Sequence, residues 1–80
     1  MTRDARPFAV LGFESTHDAL NAEKILIDLG VDVVPIPAPK TIGAHCGIAL
    51  RIELDDDDRA SAYLGAAGIA VVARARIEDV

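Results

Sequence analysis

Eighty residues, 51% of them apolar, make one domain spanning 1–80 with its core over about 7–77, and leave no room for a second. A formal net charge of −5 argues against a nucleic-acid binder, because neutralising phosphates needs clustered Lys and Arg. No apolar run approaches the roughly 20 residues of a membrane span, the opening MTRDARPF carries no secretory apolar stretch, and one cysteine forms no internal disulfide.

The expected setting is therefore the reducing cytoplasm. Tryptophan is absent and aromatics make up 4%, so the core must come from Val, Ile, Leu and Ala. A chain of this size buries only about 60–65% of its unfolded surface, and a partner surface would add stability.

In chain order, PFAVLGF (Pro7–Phe13) reads as a buried strand. Ser15 or Thr16 then suits a helix N-cap, with Asp18 favouring the first turn. Ala19, Ala22, Leu26 and Leu29 recur at helical spacing, and Gly30 stands where a glycine stops a helix. Val31–Pro37 is a strand whose prolines at 35 and 37 cannot donate to a ladder, which sends it to a sheet edge. APKTIGAH follows as a loop.

In CGIALRIEL (Cys46–Leu54), Ile48, Leu50, Ile52 and Leu54 face one way and Ala49, Arg51 and Glu53 the other. The run Asp55–Asp58 opens a second helix, where carboxylates cap free N–H groups; it lacks the alternation and glycine turn of a calcium loop. Ala60, Tyr63, Leu64 and Ala67 form that helix's apolar side, and Gly68 stops it. Ile69–Ile77 is the last strand, with Arg74 and Arg76 on one face; together with Arg51 they would place a weakly basic patch on the open sheet face or in a dimer contact.

Strand, helix, strand, strand, helix, strand predicts an α+β fold, a two-layer ferredoxin-like βαββαβ sandwich on a four-stranded antiparallel sheet. Its second and fourth strands are edges, in agreement with the prolines. The first and third strands are antiparallel neighbours, so the start of the third lies beside the end of the first, where the first helix begins. Cys46 is thereby expected near FESTHDA, at a helix N-terminus that stabilises a thiolate. His45, His17 and Lys40 could add positive charge, and Gly47 would leave the approach open. A lone cysteine at a strand start also serves as a small packing residue, and both readings stand at this point. No CxxC or HxxxH spacing supports a metal site, and no glycine-rich pattern calls for a nucleotide or other cofactor.

The combination FESTHDALNAEKIL, Gly30, PIPAPK and HCGIALRI resembles a small bacterial family formerly called DUF3343 and now described as selenium/sulfur carrier protein-like. The resemblance covers roughly residues 8 to 70 and is most specific at STHDA, AEK and CG. It implies that Cys46 is the carrier thiol, with Gly47 its glycine partner, Ser15, Thr16 and His17 the polar start of the first helix, and Lys40 the basic residue before the cysteine loop. His45 stands where a small polar residue is expected, and ARARI where an aromatic residue is common.

The implied function is a sulfur or selenium carrier that holds a persulfide or selenenyl sulfide for transfer between proteins. Its donor would be a cysteine desulfurase or a sulfurtransferase-like protein, and its acceptor a second protein. It would be a transfer protein more than a self-contained enzyme. The alternative is a non-catalytic interaction or regulatory module whose open sheet face, bearing Leu11, Phe13 and Val72 or their alternates, supports dimerisation or docking, with Cys46 in packing.

Overall fold

A computed structural model describes residues 6–38 and 47–79. Strand β1 (Arg6–Phe13) leads into helix α1 (Thr16–Asp28), and β2 (Val33–Pro37) and β3 (Ile48–Glu53) follow. A 3-10 turn (Leu54–Asp56) then enters α2 (Asp57–Ala66), and β4 (Val71–Asp79) closes the order. The strands form one sheet in the order β2-β3-β1-β4, and every neighbouring pair is antiparallel. This is the expected βαββαβ sandwich. The proline-bearing β2 takes an edge, where a missing N–H can face solvent.

The core lies between the sheet and the helices. Ala9, Leu11 and Phe13 of β1 and Leu50 and Ile52 of β3 meet Ala19, Ala22 and Leu26 of α1 and Ala60 and Leu64 of α2. The alternation expected of β3 holds, since Ile48 and Leu54 pack against the same cluster. Leu11 and Phe13 therefore belong to the helix side of the sheet. The other face carries Phe8, Val10 and Ala49, themselves buried, with the Arg51 guanidinium 4.3 Å from the Phe8 ring centre.

The expected basic patch is divided between the two faces. Arg74 pairs with Leu11 and Arg76 with Ala9, which puts both on the helix side, while Arg51 pairs with Val10 on the other. Arg74 then reaches α2, where Nη2 donates to Ser61 Oγ at 2.7 Å and Nη1 to Asp57 Oδ2 at 3.4 Å. The register fixes these faces. Gly12 lies opposite Ala73 but Phe13 opposite Val71, so Val72 is an extra, exposed residue.

Helix α2 corrects two further expectations. Tyr63 is 49% exposed and Ala67 is exposed, because a helix this short buries only the narrow Ala60–Leu64 stripe. The aspartates do crowd the helix start, yet Asp56 at the N-cap makes no side-chain cap bond. Asp56 instead accepts from Arg59 at 3.3 Å, and Asp57 from Ser61 at 3.3 Å. Among the described residues, no helix is long and apolar enough to cross a membrane.

Candidate functional site

The start of α1 is built by Ser15. Its backbone is extended, its Oγ accepts from the Asp18 N–H at 3.1 Å, and its carbonyl accepts from Ala19 at 3.1 Å. Of the two expected N-caps, Ser15 is the one used and Thr16 is the first helical residue. The cap satisfies one first-turn donor, so the N–H groups of Thr16 and His17 have no acceptor within the helix. Ser15→Ala is expected to cost about 1 kcal/mol. Thermal melts should show this as a fall of roughly 4–8 °C, with Thr16→Ala nearly silent.

Thr16 and His17 are both exposed. The Asn21 amide Nδ2 donates to His17 Nε2 at 3.1 Å, one helical turn along.

Gly47 occupies the same end of the sheet. Gly12 lies opposite Ala49 in an antiparallel pair, so Gly47, two residues before Ala49, lies at the end of the sheet from which β1 leads into α1. The Gly47 carbonyl accepts from the Ala38 N–H at 3.0 Å, a bond that ties together the two strands flanking residues 39–46. Gly47 has φ +74°, and a Cβ built there would meet nothing within 4 Å. No neighbouring described atom therefore crowds this position. The left-handed backbone is what favours glycine there. Gly47→Ala is expected to cost about 1–2 kcal/mol from that conformation alone. Gly47→Asn should cost less, because asparagine tolerates it better; urea unfolding of the two variants makes the comparison.

Of the expected site residues, Ser15, Thr16, His17 and Gly47 are thus gathered at one end of the sheet. Cys46, His45 and Lys40 lie outside the described residues. Among the described residues, no group of three His, Cys, Asp or Glu side chains is placed to hold a metal ion.

Two hollows among the described residues lie at the opposite end, where Phe8 faces Glu53. One, of about 440 Å³, is lined by Arg6, Pro7, Glu53, Leu54, Asp55 and Asp56. The other, of about 190 Å³, involves Arg6, Phe8, Arg51 and Asp32. Arg6 closes on Glu53 at 2.9 Å and lies 5.4 Å from the Phe8 ring centre. This cluster escaped the sequence reading, although alternation in RPF and RIE was the signal that could have found it. It sits a strand's length from Gly47.

A family model described as "Putative Se/S carrier protein-like" matches residues 8–73, and the chain belongs to that family. No curated protein and no solved structure matches the chain.

Proposed function

We propose, with that family membership as the premise, that the protein carries sulfur or selenium on Cys46 between a donor protein and an acceptor protein. One observation supports the reading most directly. Gly47, a single peptide bond from Cys46, is held at the sheet end where α1 presents two first-turn N–H groups without helical acceptors.

The chemistry is an exchange without net oxidation. The Cys46 thiolate attacks the outer sulfur of a donor persulfide, a new S–S bond forms, the donor's S–S bond breaks, and the donor leaves as a thiolate. Selenium follows the same route when the donor already holds it as a selenenyl sulfide. The sulfur bound to Cys46 is then itself anionic, and the positive end of α1, with the Thr16 and His17 N–H groups, would stabilise it. Ser15 holds that helix end in place, and the Thr16 hydroxyl offers a further donor. His17, His45 and Lys40 would supply positive charge or a proton. The natural donor is a cysteine desulfurase or a sulfurtransferase-like protein.

Intact-mass spectrometry tests this after incubation with a cysteine desulfurase and cysteine, and in parallel with selenocysteine. An adduct of one sulfur or selenium atom is expected on the natural chain, removed by reductant and absent from Cys46→Ser. An unmodified chain, with a thiol that alkylates only on unfolding, would overturn the carrier reading and make Cys46 a packing residue.

A further inference from the structure

The two edges of the sheet are not equivalent. β2 is short and carries Pro35 and Pro37, which deny a neighbouring strand two of its donors. β4 runs for nine residues without a proline, and among the described residues no strand pairs with its outer edge. Long edges of this kind pair with other strands unless they are blunted.

Charge on β4 selects the occupant. Arg76 and Glu78 share the helix side of the sheet, as their partners Ala9 and Pro7 show, and Ile77 lies on the other. Arg76 and Glu78 are both largely exposed and only loosely paired, 3.8 Å apart.

If two copies of β4 meet antiparallel, a pairing centred between two residues would set the charged row of one against the apolar row of the other. Pairings centred on a residue keep like rows together and both helix layers on one side of the joined sheet. Centring on Ala75 sets Arg74 against Arg76 twice, and centring on Arg76 sets it against itself, beside two Arg74–Glu78 pairs whose arginine is already engaged by Asp57 and Ser61. Centring on Ile77 sets Arg76 against Glu78 of the second copy twice and matches Ile77 with itself. Opposite charges directly across strands are favourable and like charges are not.

We propose that the outer edge of β4 is a self-association edge, on which a second copy pairs antiparallel about Ile77 to give a continuous eight-stranded sheet. The two-fold symmetry of such a contact makes each ion pair occur twice. The surface is separate from Gly47 and the start of α1, which lie at the other end of β1.

Sedimentation velocity over a concentration series tests it. The natural chain is expected to form dimers that weaken about tenfold in Arg76→Glu and in Glu78→Arg, as each change sets two like-charge pairs across the contact. The double variant Arg76→Glu/Glu78→Arg should regain the natural affinity, because the pairs are restored with signs reversed. Far-UV circular dichroism checks that these exposed changes leave the fold intact. In the natural chain, hydrogen exchange of β4 amides should also slow as concentration rises. A chain that stays monomeric to millimolar concentration, or a dimer indifferent to both single changes, would overturn the proposal.

Discussion

Phe13→Ala is expected to lower the melting temperature by roughly 15–30 °C, the largest effect of any single change in the core. Phe13 is fully buried at the end of β1 and packs with Leu11, Leu50 and the buried faces of both helices. Truncating a buried phenylalanine to alanine costs about 3–5 kcal/mol, from lost apolar transfer and the cavity left behind. A domain of this size has only about 4–12 kcal/mol in total, so a large share of its stability would go. Phe13→Leu keeps most of the volume and should cost about 1 kcal/mol.

The position matters for the site as well. Phe13 is the last residue of β1 before the turn into Ser15, so it anchors the strand end from which α1 starts. Calorimetry on the two variants makes the test. A drop of only a few degrees in Phe13→Ala would mean that this strand end is not locked by the core.

The second large effect concerns the thiol. In the folded protein at pH 7, Cys46 is expected to alkylate with iodoacetamide several-fold faster than in the urea-unfolded chain. An ordinary thiol is only a few per cent thiolate at that pH, which leaves ample room for an increase. On the proposed reading, the start of α1 would favour the thiolate through its partial positive charge and unused N–H groups. The comparison uses one chain in two states, so intrinsic chemistry cancels. Slower reaction in the native state would place the sulfur in an apolar environment and remove the physical basis for carrying a charged group.

Local signals in the sequence carried most of the architecture. Prolines 35 and 37 marked the edge strand, Gly30 and Gly68 the helix stops, and the period of two in IALRIE the buried side of β3. Ser15 and the antiparallel pairing of β1 with β3 were enough to anticipate that the start of β3 lies at the end of the sheet where α1 begins.

What was not legible depends on long-range register. Arg74 and Arg76 visibly share a face, but only the pairing with Leu11 and Ala9 says which, and the extra residue Val72 decides that pairing. Tyr63 is spaced three residues after the buried Ala60, yet α2 is too short and its buried stripe too narrow to cover it. The aspartate run looked like a set of caps because sequence shows charge near a helix start. It cannot show that Asp57 has Ser61 and Arg74 to bind instead. The positive φ at Gly47 is likewise invisible in sequence.

Strand β1 is buried on both of its faces, Val10 on one side and Leu11 on the other, and hydrogen-bonded along both edges. Its amide protons should therefore exchange with solvent only through complete unfolding, and their rates would measure the stability of the whole molecule. The first turn of α1, with exposed Thr16 and His17, has no such lock and can open locally at small cost. The protein is thus built with a slow clock along its middle and a fast one at the end where α1 starts. That end can rearrange many times within the lifetime of a single folded molecule.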